Sequence, residues 1–490
     1  MRPCASRHFL DSNPIAMQDD APLTTPAALT AAFARIKAGA RAEPSPSRAV
    51  RHRRLDALFA LVHDHREEFA SAITQDFGAR PARETLLLEV FPTLEALRHA
   101  RRHVARWMKP RRRPVSPWFL PGSAETRPQP LGCIGVVAPW NYPLYLTAAP
   151  LASILAAGNR ALLKFSETSP ATAALFARLL PRYFECDELA VVGGELDLAR
   201  AFTALPFDHL LFTGSAAVGR QVMAAAAAHL TPVTLELGGK SPALIAPGYP
   251  LAHAAARIVM GKCVNAGQTC IAPDYVLLPA GSEEAFLAAA RREVQAAYPN
   301  FATNPDYGAI VNDRHFHRLV GALEEARAAG ARVEPLIPGA QPDPATRRFP
   351  PTALLGVPEN LSLMREEIFG PLLPLVSYRT LDEAVAYIAA RDAPLALYLF
   401  DRDRRRADAV LDATRAGGVT VNDTLLHIAQ DTLPFGGVGA SGMGQLHGQA
   451  GFLTFSKEKP VFRQSRVNGM ALLKPPYGRR FDALLRVLLR

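Results

Sequence analysis

The sequence predicts an α/β protein built from parallel sheets with helices on their faces. Three observations carry that prediction. From Leu131 onward, short apolar and β-branched runs alternate with helical stretches, the rhythm of strand-helix-strand units. Glycines and small polar residues follow the ends of those runs, as in Thr213-Gly214-Ser215. A length of 490 residues exceeds what one core usually holds, so two or three packed units are expected.

Ahead of the alternation, residues from about Thr25 to Trp107 are helical in pattern: Arg54, Leu55, Leu58, Leu61 and Val62 recur at helix spacing, and Leu86 to Arg106 does likewise. Prolines between Pro110 and Pro130, with Gly122, break the pattern and predict a short arm over about 113–130. Gly132 to Ala138 is the first strand, followed by the loop Pro139-Trp140-Asn141-Tyr142-Pro143 and an apolar helix from Leu144 to Ala157. Strands follow at Arg160 to Lys164, Ala190 to Val192, His209 to Phe212 and Pro232 to Leu235. Helices lie between them, one reaching Tyr183, one near Leu196 to Thr203 and one from Val218 to His229. A second set begins at Gly238, with helices at Ala252 to Lys262, Glu283 to Ala297 and Arg314 to Ala329, and strands at Tyr275 to Leu278, Leu372 to Val376, Ala396 to Phe400 and Gly418 to Val421.

The expected division is a flexible extension over 1–24, a first unit over 25–237 that carries the arm, a second over 238–440 and a terminal segment over 441–490. The start, Met1 to Pro22, is polar and lacks the apolar stretch of a signal peptide, and Met17 offers a second initiator. Phe481, Leu484, Leu485, Leu488 and Leu489 share one helical face of about three turns, too short for a bilayer. Packing on the body or on a partner subunit is therefore expected.

Chemistry concentrates in two stretches. Asn265-Ala266-Gly267-Gln268-Thr269-Cys270 offers a thiol in a small-residue loop, and Leu235-Glu236-Leu237-Gly238-Gly239-Lys240 a carboxylate that ends a strand before paired glycines. A thiolate can form a covalent bond to a carbonyl, and a carboxylate can activate the water that breaks it. On local residues alone, Cys270 reads equally well as a small buried side chain. Asn141, Lys164, Glu167, Gly214, Ser215 and Glu236 all fall at the carboxyl ends of predicted strands, where parallel sheets place ligands.

Gly214-Ser215-Ala216-Ala217-Val218-Gly219 has the GxxxxG spacing of a phosphate loop, but Arg220-Gln221 follows where Lys and Ser or Thr are needed, which disfavours a nucleoside triphosphatase. Free N–H groups at the following helix start still suit a pyrophosphate. A tight turn that merely needs glycine explains the motif as well. Lys164 and Glu167 suit an adenine ribose, and a carboxylate there repels a 2′-phosphate, so NAD is preferred with NADP possible.

Composition excludes several classes. A hydrophobic content of 49% with 20% charged residues fits a soluble globular chain, and no run of eighteen apolar residues offers a membrane span. The net charge of +10 comes from dispersed arginines without interleaved aromatics, which argues against nucleic acid. The five cysteines show no CxxC pair and no histidines at zinc spacing, so reduced thiols, a cytoplasmic setting and no metal are expected.

Pro139-Trp140-Asn141, Phe212-Thr213-Gly214-Ser215, Leu235 to Lys240, Gly267-Gln268-Thr269-Cys270 and Glu366-Glu367-Ile368-Phe369-Gly370-Pro371 together resemble the aldehyde dehydrogenase superfamily, in order and at its spacings. Phe207-Asp208-His209, Ala272 to Pro279, Val421-Asn422-Asp423, Asp431 to Gly439 and Ser441-Gly442-Met443-Gly444 resemble its class 3 branch and, within it, the bacterial coniferyl aldehyde dehydrogenases. The resemblance implies an aldehyde dehydrogenase-like fold: a Rossmann-type NAD-binding unit, an α/β catalytic unit and a bridging arm. It implies Cys270 as nucleophile, Glu236 as the base for thioester hydrolysis, and Asn141 with the Cys270 N–H as oxyanion donors. Trp140, Lys164, Glu167, Thr213, Gly214, Ser215, Gly219, Leu237 and Gly238 would line NAD, and Glu367 and Phe369 would hold the nicotinamide ribose and ring. An aromatic aldehyde as substrate and a homodimer are further implications; medium- or long-chain aliphatic aldehydes, and a cysteine-dependent esterase, are the alternatives. Phe165, where the family usually has proline, and Ala440, where relatives often have Asn or His, depart from the pattern.

Overall fold

The computed structural model describes residues 22–469 and 474–489. Most of the expected extension over 1–24, with Met17 and Cys4, lies outside the described residues. Leu23 within it bridges to Val192 at the sheet edge, its N–H donating to the Val191 carbonyl at 3.0 Å.

The helical lead-in consists of Pro26–Ala42, Arg48–Asp64, Arg66–Phe77, Ala82–Thr85 and Phe91–Trp107, with a π turn at Leu86–Val90. Thr25 and Ser47 cap the first two helices by accepting from Ala28 and Val50 N–H. Leu55, Leu58, Leu61 and Val62 pack with Leu97 and Val104 against Leu151, Ile154 and Leu155 of the helix Tyr145–Ala157. That helix is apolar all round and lies wholly inside the core, as such a sequence requires.

The lead-in covers a six-stranded sheet ordered Gly442–Met443, Val233–Glu236, His209–Thr213, Cys133–Val137, Arg160–Lys164, Leu189–Val192. All neighbours are parallel except the two-residue edge strand, which runs antiparallel to Val233–Glu236. Val137 pairs with Lys164 and with Phe212, and Thr213 with Glu236, so the carboxyl ends of these strands lie level.

The second sheet has seven strands, ordered Arg332–Pro335, Thr352–Leu355, Leu372–Tyr378, Tyr275–Pro279, Pro242–Ile245, Ala396–Phe400, Gly418–Val421, and only the first is antiparallel. The chain leaves the first sheet at the carboxyl end of Glu236 and enters the second at the amino end of Pro242. So short a crossing makes the carboxyl edge of one sheet face the amino edge of the other. The expectation of a site at strand carboxyl ends thus describes the first sheet alone; the second sheet contributes the loops that precede its strands.

The third sheet is the arm: Ser123–Pro130 pairs antiparallel with Arg111–Arg113 on one side and with Ser456–Arg463 on the other. Trp118, Phe119 and Phe462 stand exposed on it. The terminal helix Arg479–Leu488 carries the apolar face read from the sequence, yet buries none of its residues against the chain. Among the described residues, no helix is long and apolar enough to cross a membrane. Cys133, Cys263 and Cys270 are free thiols.

Candidate active site

The two facing edges form a cleft, and the first sheet lines it with its strand ends and the glycine turn after His209–Thr213. Cys133–Val137 has Arg160–Lys164 on one side and His209–Thr213 on the other, so the strand order reverses there and opens a crevice at the carboxyl ends. Gly214 and Ser215 sit at that crevice, and Ser215 caps the helix Ala216–Ala227, its exposed hydroxyl accepting from Val218 N–H. A β-carbon on Gly219 would lie 2.8 Å from Leu237 Cδ2, so glycine lets this helix approach the strand end without displacing the leucine. Lys164 is buried and donates to the carbonyls of Phe165 (2.6 Å) and Gly194 (2.8 Å), while burial lowers its pKa. Glu167 is exposed at the same strand end. Phe165 points into the core beside Phe176, ring centroids 5.1 Å apart, so this departure from the family pattern serves packing.

Opposite lies the cysteine loop, shaped by three successive left-handed residues, Asn265 (φ 49°), Ala266 (φ 50°) and Gly267 (φ 77°). Each non-glycine residue there costs about 1–2 kcal/mol, so neighbours must enforce the geometry. Asn265 Nδ2 donates to the carbonyls of Asn141 (2.9 Å) and Gln268 (3.1 Å). Gln268 is wholly buried; its amide donates to the carbonyls of Asn265 and Ala309 and accepts from Val311 N–H. A β-carbon on Gly267 would stand 2.4 Å from the Gly370 carbonyl oxygen, which excludes any side chain. Asn141 Nδ2 donates to the Gln268 carbonyl at 3.1 Å, and the Tyr142 hydroxyl meets Thr269 Oγ1 at 2.7 Å. Two loops from two sheets are thereby locked together around Cys270. Cys263 packs in the core of the second unit, and burial pushes its thiol up to about 12.

Glu367 and Phe369 close the cleft from the loop before Leu372–Tyr378. The Glu367 carboxylate accepts from Gly239 N–H and lies directly over Gly238, where an added β-carbon would be 2.1 Å from Oε2. Burial first, then the nearby Asp274, raises Glu367 to about 8. Phe369 has a left-handed φ of 47° and meets Trp140 edge-on at 5.3 Å, with His315 5.0 Å from the same indole. An ion pair between Lys240 and Asp274 supports this loop: Lys240 Nζ donates to the carbonyls of Leu363 and Glu366, and Asp274 Oδ1 accepts from Ile368 N–H.

Cys270 and Glu236 line one narrow pocket. Both Glu236 carboxylate oxygens are buried without a hydrogen-bond partner, and burial raises this group well above the ordinary carboxylate range. Burial also raises the Cys270 thiol, with the charges of Glu367 and Glu236 adding to it and the N–H groups of Cys270 and Ile271 opposing it. The rest of the wall includes Thr213, Leu237, Tyr145, Leu395, Phe435 and His447. His427, Phe435 and His447 form a stack, with centroid separations of 6.0 and 5.2 Å. His447 Nε2 stands 3.4 Å from the Tyr145 hydroxyl and its buried Nδ1 has no partner. Ala440 lies in the turn Gly439–Ser441, whose Ser441 carbonyl accepts from Leu237 N–H; the cavity wall is made by Phe435, Leu446 and His447 on either side of it.

The quoted motifs line the cleft, but the sequence offers no signal for Tyr145, His315 and His447, which come to it only through tertiary packing, or for His427, which backs Phe435. Asn265 and Gln268 were quoted inside their motif without a role, although a buried pair of amides next to a glycine is itself a signal of a locked loop.

Comparison with known proteins agrees with this geometry. The model of the aldehyde dehydrogenase family matches residues 8–461. A probable coniferyl aldehyde dehydrogenase of Pseudomonas aeruginosa is 50% identical, over 93% of this chain and 95% of its own length. The coniferyl aldehyde dehydrogenase of Pseudomonas sp. strain HR199 is 47% identical, over 89% and 91%. Among solved structures, the substrate-bound state of Staphylococcus aureus AldH superimposes with a TM-score of 0.88 at 35% identity, covering 94% of this chain and 99% of that one. The chain belongs to the aldehyde dehydrogenase family and is an oxidoreductase that acts on aldehydes.

Proposed function

We propose that this enzyme oxidises aromatic aldehydes of the coniferyl type to their carboxylic acids with NAD, through a thiohemiacetal and then a thioester on Cys270. The observation that carries the proposal is the pocket in which Cys270 and the unpartnered carboxylate of Glu236 share walls with Tyr145, Phe435 and His447. An aromatic wall favours a planar ring over an aliphatic chain, and the names of the relatives support the same substrate class.

The first sheet fits a nicotinamide dinucleotide. Gly214, Ser215 and the helix start beside Gly219 suit its pyrophosphate. Glu167 and Lys164 suit the adenine ribose, and Glu367 over Gly238, with Phe369 and Trp140, suits the nicotinamide end. The exposed carboxylate of Glu167 argues for NAD over NADP. When bound, the cofactor supplies the hydride acceptor.

The chain's own residues do the rest. As Sγ attacks the carbonyl carbon, negative charge develops on the aldehyde oxygen. The second N–H of Asn141 Nδ2 and the Cys270 N–H are its donors, worth most in a dry site. Burial raises the Cys270 thiol, the N–H contacts from Cys270 and Ile271 offset part of the cost of forming the thiolate, and the thiol proton passes to solvent before Sγ attacks. After oxidation, Glu236 takes a proton from water, the water oxygen attacks the thioester carbonyl, the C–S bond breaks and the acid leaves. Burial raises the proton affinity of Glu236, which is what a general base requires.

A homodimer belongs to the same reading, with the exposed Trp118, Phe119 and Phe462 of the arm and the uncovered face of the terminal helix as surfaces for a second copy. The deciding experiment ranks coniferyl aldehyde, benzaldehyde and hexanal by kcat/KM with NAD and with NADP. Preference for hexanal would sink the aromatic reading, preference for NADP the cofactor choice, and ester cleavage without any aldehyde oxidation would favour a cysteine esterase.

A further inference from the structure

A fully buried cluster of charge lies behind the cleft. Arg80, 0% exposed in its side chain, is held between the rings of Phe77 (5.0 Å) and Tyr142 (4.6 Å). Its Nη1 donates to the Asn141 carbonyl at 2.7 Å and lies 3.1 Å from Glu89 Oε1, and its Nε lies 3.6 Å from Glu84 Oε1. Glu89, also 0% exposed, accepts from Leu144 N–H (2.9 Å) and Tyr145 N–H (3.1 Å). Glu84 accepts from the N–H of left-handed Asn265 at 2.9 Å. One guanidinium and two carboxylates therefore touch the backbone at Asn141, at the helix start three and four residues after it, and at the start of the cysteine loop.

The helix that carries the acids is deformed at this point. Residues five apart in an α-helix diverge by roughly 140°, so Glu84 and Glu89 would not both reach one arginine. The π turn at Leu86–Val90 brings them to it, and such turns concentrate at functional sites. Arg80 Nε and Nη2 and Glu89 Oε1 make no aligned hydrogen bond, so the pair is held by charge and place more than by its own geometry. A buried ion pair stabilises less than apolar residues of equal volume would; what this one does hold is the backbone of the catalytic loops.

We propose that Arg80 and Glu89 are positioning residues that aim the Asn141 amide at the developing oxyanion, an inference that rests on the role given to Asn141 above. Neither touches the substrate. Arg80 fixes the Asn141 carbonyl, and Glu89 fixes the first turn of the helix that follows the loop.

Acylation by p-nitrophenyl acetate isolates this role without a cofactor. Sγ attacks the ester carbonyl, the C–S bond forms, p-nitrophenolate leaves with the electrons of the C–O bond, and the thiol proton passes to solvent. An oxyanion forms on the way. Alkylation of Cys270 by iodoacetamide, a displacement at saturated carbon, forms none. In Glu89→Gln the amide oxygen still accepts from Leu144 and Tyr145, but the charge that holds Arg80 is gone. The p-nitrophenolate burst is expected to slow about tenfold, as for a small misplacement of a catalytic group, while alkylation stays within twofold. Arg80→Lys, which keeps the charge but not the planar fork, is expected to show the same pattern. Neither loss should add to that of Asn141→Ala. Equal slowing of both reagents would make the pair a mere prop of the fold, and an unchanged burst rate would remove it from the site; either overturns the proposal. If the wild type gives no burst, or Asn141→Ala matches it, the oxyanion role of Asn141 fails first, and the positioning role with it.

Discussion

The side-chain amide of Asn141 donates to the main-chain carbonyl of Gln268 at 3.1 Å, two residues before Cys270. One N–H of that amide thus measures its position against the cysteine loop, and the proposed mechanism gives the other to the substrate oxygen. Asn141→Ala removes both, and kcat is expected to fall by roughly 10²–10³, the usual loss for one oxyanion donor. A steady-state assay in which kcat keeps its wild-type value would take Asn141 out of the reaction.

The two cysteines of this region make a matched pair. Cys270 lines the cavity, whereas Cys263 is sealed in the core seven residues earlier. Cys270→Ala should abolish oxidation and leave NAD binding intact by fluorescence titration, because the cofactor features belong to other loops. Cys263→Ala should retain most activity and lose stability through a small cavity. The reverse pattern would reassign the nucleophile.

A polar pair in the aromatic wall predicts selectivity. Burial lowers His447 to about 4, so it is neutral at pH 7 and can donate from one ring nitrogen and accept at the other. With the Tyr145 hydroxyl 3.4 Å away, it can hydrogen-bond a ring hydroxyl of the substrate. His447→Phe should lower kcat/KM for 4-hydroxybenzaldehyde by about tenfold or more while leaving benzaldehyde within threefold, since a site built to bond a hydroxyl discriminates through that bond. Equal losses for both aldehydes would reduce His447 to packing.

Glu367 links the site to stability. Its pKa rises from an ordinary 4.5 to about 8 in the fold, so between those values the native state binds a proton that the unfolded chain does not. The sign follows: this contribution is present below pH 4.5 and is lost as pH rises through 8. Glu367→Gln, free of that loss, should gain at least about 2 °C in Tm relative to wild type on going from pH 5 to pH 8. A Tm difference that is the same at both pH values would show that the carboxyl titrates normally.

How much of this was legible before the structure depended on the range of the interactions involved. Ala396–Phe400 is apolar and buried throughout and Arg160–Lys164 is buried around an apolar centre, so apolar patterning marks both. Pro242–Ile245 opens on proline directly after Gly238-Gly239-Lys240-Ser241 and reads as loop, although the cleft depends on where it begins. Ser456–Arg463 alternates charge at the surface and finds its partner, Ser123–Pro130, more than three hundred residues away. Within the site, motif residues such as Glu236 and Gly214 could be read because they sit at strand ends. Arg80, Glu84 and Glu89 could not, because a π turn and two distant loops give them their meaning. Ionisation is not legible either: burial and two carboxylates raise the Cys270 thiol, and only tertiary packing brings those groups to it.

On the proposed mechanism, Glu236 separates the two halves of the reaction. Its carboxylate is buried, unpartnered and opposed to the thiol by charge, which suits a base for water better than an activator of sulfur. Glu236→Gln keeps size and polarity but cannot take a proton. With the repelling charge removed, the Cys270 thiolate becomes easier to form, so the pH midpoint for iodoacetamide inactivation should move down from the wild-type value. Attack and oxidation should then proceed once, giving a burst near one NADH per active site, after which turnover stalls with the acyl mass on the peptide that holds Cys270. Absence of the burst would mean that Glu236 also ionises the thiol or holds the aldehyde. Normal steady-state turnover would mean that another group activates the water, and the pairing of Cys270 with Glu236 would have to be abandoned.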